Sequence, residues 1–469
     1  MPTYRFQMGS THHGLLFADG IDKGIPATLD MTVGGPQFTL AFEESGMRTG
    51  PPASWFTRHG DVPQHLAFQT QELHLTCFGV ANWSHAMGNI AVARIEPTAI
   101  VADRWHGEHD ARLTASTVQS EVDRLSDWTR FSAARTETET DERNRVQRLS
   151  IELAQHEQLA WKQGEAAMTL TTNWEHTPGM VGVHYDEAVV LESRFESDRP
   201  IRDHMVEQRK VRDLLAIMYN APAYFRRHRV RSKFIHEISG ETREPYNHLV
   251  DMIGGLSTHE QGNPQPGPNS GLFAVVYPGQ FGPSGFESWA ESYERMERVI
   301  RPIVRILQRP QALSEDRVVA IGMALEAAGV LLPKAPGESE TYRRGSEIAT
   351  AATSVYRVLS VAGIGSERLA SSLASLAQGV ARTYNDIKHP NHDLPSEIQS
   401  YGVAALGVLA LQVHLAKDAL GYAEPVSERY GDHFVDEIAL LWERLGLYLG
   451  KDGKFERRDL PAVWPRLFE

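Results

Sequence analysis

The first part of the chain alternates between apolar and polar positions with a period of two. Three segments show this most clearly, Gln37–Phe42, Glu72–Phe78 and Ile90–Ile95, and Gly, Pro and Asn residues stand between them. Because successive side chains of a strand point to opposite faces of a sheet, the pattern predicts short, half-buried strands. Further strands are predicted at 148–153, 167–174 and 181–193. We therefore expect an N-terminal β-rich, sandwich-like region.

The second part of the chain has apolar positions every three or four residues, a period that predicts helices. Ser314 and Ser396 are start signals, and Pro333 and Gly363 are stop signals. The predicted helices cover residues 289–306, 314–331, 341–359, 366–389, 396–420 and 433–449. One earlier helix, Asp203–Tyr219, is predicted within the β-rich region. Short loops between amphipathic helices are typical of an antiparallel bundle.

A Gly- and Pro-rich stretch between His259 and Gly285 separates the two patterns, with one strand-like segment, Leu272–Tyr277, inside it. The sequence therefore predicts an α+β protein of two parts. Residues 1–285 form a β-rich sensor or regulatory region, and residues 286–469 form an all-α helical bundle.

Charge and composition narrow the function classes. The chain has 47 Lys and Arg against 60 Asp and Glu, a net charge of −13, which argues against a nucleic-acid binder that works by bulk electrostatics. Any RNA contact then needs a local cluster of cations or a groove formed by two subunits. The single cysteine, Cys77, permits neither an internal disulfide nor a thiolate zinc site, which favours a reducing, cytoplasmic setting. The longest apolar stretch, Val403–Leu411, is too short to span a membrane, so no span is predicted.

The candidate chemistry lies near the end of one predicted helix, at Arg382 and His389. Seven residues are almost two helical turns, so both side chains share one face. His can move the proton of an RNA 2′-hydroxyl, and Arg can stabilise the charge on the phosphate, so RNA can be cut without metal. Similar spacings, such as Arg229 with His236, fall in the predicted β-rich region. No phosphate-binding loop, zinc-protease motif or serine nucleophile elbow is present.

On these residues the chain resembles the HEPN ribonucleases, and in particular the ApeA-like bacterial abortive-infection proteins. The resemblance rests on the Arg382-x6-His389 spacing, with Lys388 before the His and Pro390 after it, and on the helix Val318–Glu326. It also rests on the order of a β-rich region before a helical one. It implies a HEPN-like bundle acting as a metal-independent endoribonuclease without a cofactor, in a homodimer that cuts RNA in phage-infected cells after a phage-derived trigger.

The resemblance also implies roles for individual residues. Arg382 and His389 are the catalytic pair, and Asn385, Lys388 and Glu326 position or assist them. For Glu326 two interpretations stay open, that it orients Arg382 from a neighbouring helix or that it is an ordinary surface carboxylate. Thr383 stands where many members of the family have Asn, Asp or His, so the usual polar helper is replaced at this position.

Other interpretations of these residues stay open at this stage. Arg382 with Asp386 forms an ordinary i,i+4 ion pair, and His389 at a helix end complements the helix dipole. A further interpretation is that His389, His392 and Asp393 together bind a divalent metal ion. At the level of function, the alternatives are a non-catalytic dimeric module that binds RNA or protein, and a scaffold whose β-rich region recognises a phage protein or carbohydrate.

Overall fold

The computed structural model describes residues 6–19, 23–43, 52–56, 62–86, 90–107, 112–154, 157–178, 183–238, 245–254, 260, 263, 266, 273–365, 367–421 and 433–456. The chain forms two compact units. The first comprises residues 1–212 and 224–270, and the second comprises residues 213–223 and 271–469. The first unit is β-rich and the second is helical, which confirms the α+β fold class. The helical unit includes residues 213–223, which precede the predicted boundary at residue 285.

The strands of the first unit mostly join one large antiparallel sheet. The strands are β1 Thr11–Phe17, β2 Ile25–Thr32, β3 Gly35–Glu43, β4 His65–Gln69, β5 His74–Ala86, β6 Ile90–Val101, β7 Thr114–Val122, β8 Ala134–Thr140, β9 Val146–Leu153, β10 Gln158–Gln163, β11 Ala166–Pro178, β12 Val183–Pro200, β13 Phe225–Arg231, β14 Glu237–Ile238, β15 Pro245–Tyr246 and β16 Val250–Gly254. The order in the sheet is β10-β11-β12-β7-β13-β16-β6-β3-β2-β1-β4-β5. Two further pairs, β8 with β9 and β14 with β15, stand apart from it.

Strands β1 to β6 close into a six-stranded barrel, because β5 pairs with β6 as well as with β4. Leu29, Phe38, Phe68 and Ile95 are fully buried in its core, together with the free Cys77. The barrel takes the place of the expected sandwich. Alternation along a strand shows which side chains are buried, but it is the same for a strand in a sandwich and a strand in a barrel.

Strands β16, β13, β7, β12, β11 and β10 extend the barrel into an open sheet, and a buried polar layer covers one of its faces. The helix α2 Ile201–Tyr219 contributes His204 and Gln208 to this layer, and both are fully buried. Gln208 donates to the Val118 carbonyl at 2.9 Å, and His204 Nε2 lies 2.9 Å from the Ala115 carbonyl. Burial lowers the pKa of the neighbouring His228 to about 4, so its ring is neutral at pH 7.

The second unit is a set of packed helices. After α1 Leu125–Thr129 and α2, the helices are α3 Pro278–Arg295, α4 Glu297–Leu307, α5 Ser314–Leu331, α6 Ala351–Ala362, α7 Leu373–Lys388, α8 Glu397–Asp418 and α9 His433–Arg444. Helix α8 has the length and mean hydropathy, 22 residues and 1.4, of a membrane span. Its apolar window is 78% buried inside the structure, as expected of a core helix.

Several helix limits differ from the prediction because capping residues, rather than periodicity, decide where a helix begins. The predicted helix 341–359 starts only at Ala351, where Thr350 caps it. The predicted helix from 366 starts at Leu373, because the Ser372 hydroxyl accepts the Ser375 N–H. The predicted helix 289–306 is two helices that meet at Met296.

Two predicted strands fall partly outside the described residues. Residues 181–182 of the strand predicted at 181–193 lie outside them, and the rest belongs to β12. Residue 272 of the strand-like segment also lies outside, and Phe273–Tyr277 forms no strand. Most of the Gly- and Pro-rich stretch between residues 259 and 272 lies outside the described residues as well.

We expect Gly329→Ala to lower the free energy of unfolding by about 1–2 kcal/mol. A Cβ at Gly329 of α5 would lie 2.3 Å from the Ser354 Cα of α6, and the overpacking exceeds the gain in helix propensity. The measurement is urea unfolding of the full chain followed by circular dichroism. Gly365→Ala is the matched control, because nothing lies within 4 Å of a Cβ there. Equal unfolding midpoints for the two variants would contradict the close packing of α5 on α6.

Candidate active site

An open groove of about 400 Å³ in the helical unit contains part of the predicted site. Arg382, Asn385 and Asp386 reach it from one face of α7, because their spacing of three and four residues places them side by side. The opposite wall comes from the segment before α6. The further lining residues are Thr341, Tyr342, Thr350, Ala351, Ala352, Gln378, Ala381 and His392.

A charged anchor beneath the groove fixes the wall that carries Tyr342. The carboxylate of Glu338 is buried and accepts hydrogen bonds from Arg357 Nε at 2.7 Å and from the Tyr342 hydroxyl at 2.6 Å. These hydrogen bonds, that from Arg357 above all, lower the pKa of Glu338 to about 2. The wall opposite α7 is therefore held by a charge-assisted network.

Arg382 is partly exposed, and within the described residues it forms no ion pair. Its Nη2 donates to the Asp452 carbonyl at 3.0 Å. The i,i+4 partner considered for it, Asp386, lies 2.8 Å from His392 Nδ1 instead. The positive charge of Arg382 is therefore not neutralised by a carboxylate in the groove, and it is available to an anionic ligand.

His389 ends α7, where its backbone N–H donates to the Asn385 carbonyl at 2.9 Å. The backbone of His389 is extended because Pro390 follows it, and the chain then turns back toward the groove. The turn brings the His392 ring centroid to 5.5 Å from that of His389. The His389 side chain is exposed, and it stands beside the groove rather than among its lining residues.

Of the other predicted site residues, Thr383 and Lys388 lie on α7 and Glu326 lies on α5. The Tyr384 hydroxyl donates to Glu326 Oε2 at 3.1 Å, and Lys388 Nζ donates to the same hydroxyl at 3.4 Å. Burial raises the pKa of Tyr384. Thr383 is buried, and its hydroxyl donates to the Gly379 carbonyl one turn earlier. Within the described residues no contact joins Glu326 to Arg382.

The pairing of Asp386 with His392 was not predicted from the sequence. His392 was a candidate only as a metal ligand with His389 and Asp393, whereas the described residues contain no cluster of three His, Cys, Asp or Glu side chains suited to a metal ion. The available signal was Pro390, which ends the helix and reverses the chain. A residue two positions after that proline can return to the last turn of the helix that precedes it.

The arrangement combines two kinds of chemistry at the end of α7. Arg382 offers a fixed positive charge for a phosphate. His389 and His392 offer groups for proton transfer, and the Asp386 carboxylate orients one of the two rings. A groove with these three groups is suited to acid–base chemistry on a phosphodiester.

These features define a two-part α+β protein with a barrel-and-sheet unit and a helical unit that carries a cation and two imidazoles. Residues 61–247 match the family model described as ApeA N-terminal domain 1. The matched segment runs from β4 to β15, about two fifths of the chain, and supports an ApeA-like defence protein. The match ends before residues 271–469, which make up most of the helical unit. Comparison with curated proteins and with solved structures found no significant similarity.

Proposed function

We propose that this protein is a metal-independent endoribonuclease that acts in the cytoplasm in anti-phage defence. The ApeA-like N-terminal domain suggests the defence role. The observation that carries the nuclease proposal is the Arg382 guanidinium, which lacks an ion pair within the described residues and lies in a groove with Asn385 and His392. RNA is the substrate, because its 2′-hydroxyl supplies the nucleophile that a site of this kind needs.

In the proposed reaction, His389 accepts the proton of the 2′-hydroxyl as the oxygen attacks the adjacent phosphorus. Protonated His392, oriented by Asp386, donates a proton to the leaving 5′-oxygen as the P–O5′ bond breaks. Arg382 stabilises the added negative charge on the phosphorane, and the Asn385 amide donates a hydrogen bond to a phosphate oxygen. The products are a 2′,3′-cyclic phosphate and a 5′-hydroxyl end.

The remaining predicted residues support the helix end that carries the site. Lys388 adds a second positive charge there, held over the Tyr384 ring with its Nζ 5.2 Å from the ring centroid. Glu326 anchors Tyr384 from α5. Thr383 stays inside the helix packing and has no role in the chemistry of this scheme.

Arg382→Ala is expected to reduce the RNA cleavage rate about 10²–10³-fold by removing charge stabilisation, while the protein stays folded. His389→Ala and His392→Ala are each expected to reduce it about 10²–10⁴-fold by removing a proton-transfer group. The measurement is single-turnover cleavage of a labelled RNA, with circular dichroism as the folding check.

The matched controls are Arg317→Ala and His74→Ala. Arg317 is a partly exposed arginine of α5 that, like Arg382, donates to a backbone carbonyl, in this case that of Pro310. His74 is an exposed histidine of β5. Both control variants should keep full activity. Full activity in folded Arg382→Ala and His389→Ala variants would disprove the nuclease site, and undiminished RNA binding without cleavage by the unmodified protein would favour a binding module.

Cleavage should continue in EDTA and should leave 2′,3′-cyclic phosphate ends, because a positive charge and proton-transfer groups replace the roles of a metal ion. The measurement is mass spectrometry of the RNA fragments formed with and without EDTA. Loss of cleavage in EDTA together with its recovery on adding magnesium would contradict this mechanism.

We also propose that the helical unit forms a homodimer. Helix α5 exposes apolar side chains at Met323, Val330 and Leu331, which are 51%, 75% and 42% exposed. Met323 and Val330 are seven residues apart and share one helix face, so a second copy of the chain can cover both. A dimer also brings two copies of the Arg382 charge together in a chain whose net charge is −13.

Met323→Glu with Val330→Glu is expected to halve the mass measured by light scattering, because each change places a charge at the proposed interface. Ile348→Glu is the control, since Ile348 is an exposed apolar residue outside α5, at 58% exposure, and its change should leave the mass unaltered. A monomeric mass for the unmodified protein at assay concentration would contradict the dimer.

A further inference from the structure

A row of cations crosses five strands on the outer face of the open sheet. Lys162 of β10 pairs with Ala167 of β11, Ala167 with Arg194 of β12, Arg194 with Thr117 of β7, and Thr117 with Arg231 of β13. Directly paired residues of antiparallel strands point to the same face. The long basic side chains therefore alternate with the small Ala167 and Thr117, and the basic positions are about 10 Å apart.

The arginines farther along the same face of β13 are neutralised. Arg227 lies 2.8 Å from Asp251 and 3.5 Å from Glu121, and Arg229 lies 3.5 Å from Glu175. Arg194 and Arg231 differ from them, because neither forms an ion pair with any described residue. In the middle of this face the arginines pair with carboxylates, whereas at one end Arg194 and Arg231 have no carboxylate partner among the described residues.

The two arginines line a cavity of about 900 Å³ in the first unit. A bulge in β12 between Arg194 and Arg199 places Phe195 and Glu196 on its wall. Arg199 also lines the cavity and pairs with Glu165. Phe195 is half-buried, and its ring packs edge to face against the His204 ring, with the two ring centroids 4.7 Å apart.

The cavity is positive although the chain is acidic. Four basic residues line it, Lys162, Arg194, Arg199 and Arg231, against the two carboxylates Glu165 and Glu196, so its formal charge is +2. Its volume lies in the range of about 300–1,000 Å³ that is typical of sites for small ligands. Arginine binds phosphate with two parallel hydrogen bonds, and an aromatic wall can contact a nucleobase.

We propose that this cavity binds a small organic phosphate of nucleotide size, with its phosphates on Arg194 and Arg231 and its base against Phe195. The ligand binds in the β-rich unit, apart from the groove on α7. The proposal therefore does not depend on the ribonuclease activity.

The test uses the full chain and isothermal titration calorimetry with two probes, ATP and inorganic triphosphate. Arg194→Glu with Arg231→Glu should weaken the binding of both probes at least about tenfold, because the phosphate contacts are lost and the cavity becomes acidic. Phe195→Leu should weaken ATP binding and leave triphosphate binding unchanged. Equal weakening of both probes by Phe195→Leu would overturn the placement of the base.

The control is Arg135→Glu with Arg148→Glu, which changes the net charge equally at two exposed arginines of the β8–β9 pair. The control should bind both probes as the unmodified protein does. Equal weakening in the control and in the cavity variant would show only the effect of net charge and would overturn the proposal. Absence of binding of either probe at about 1 mM and low salt would overturn it as well.

Discussion

The pairing of β6 with three other strands is the constraint on which the first unit depends. One edge of β6 pairs with β5, and the other edge pairs first with β3, from Ile90 to Ile95, and then with β16, from Ala99 to Val101. The change of partner on that edge ends the barrel and begins the open sheet. Two glycines allow strands to approach Thr98 at this point. A Cβ at Gly254 would lie 2.7 Å from the Thr98 carbonyl, and one at Gly79, whose φ is +66°, would lie 2.7 Å from its Oγ1.

The open sheet that begins at this junction separates two kinds of polar chemistry on its two faces. The face under α2 buries a polar layer in which Gln208 and His204 satisfy strand carbonyls and His228 stays neutral. A neutral, hydrogen-bonded layer of this kind holds the helix on the sheet without the cost of burying a charge. The other face carries charges, and among the described residues Arg227 and Arg229 are paired with carboxylates whereas Arg194 and Arg231, at the end where β12 bulges, are not. The register of the five strands β10, β11, β12, β7 and β13 therefore decides which basic side chains lie side by side and which of them have no carboxylate partner among the described residues.

The sequence predicted the classes of element better than their arrangement. Period-two alternation identified β3, β5 and β6, and in β3 and β6 it follows from one buried face. The same alternation says nothing about which strand β6 pairs with, so the closure of the barrel could not be read from it. Helix limits were missed for a related reason. Residues 341–350 have helical periodicity, yet the Glu338 anchor and the Thr350 cap hold most of them outside a helix. Such contacts join residues of different segments and leave no periodic signal.

In the candidate site, too, some residue positions follow from the local sequence, whereas some contacts arise only from the fold. The positions of Arg382 and Asn385 on one face of α7 follow from helical spacing alone, and the structure brings both to one groove. The partner of Asp386 does not follow from helical spacing. Within α7 its nearest cation by spacing is Arg382, but the reversal at Pro390 supplies His392 at 2.8 Å, and the carboxylate pairs with the imidazole. That exchange of partners leaves Arg382 with a hydrogen bond to the Asp452 carbonyl and without an ion pair among the described residues, although its charge helps to lower the pKa of the Asp452 carboxyl. A phosphate entering the groove therefore meets a guanidinium that is not paired with any carboxylate lining the groove.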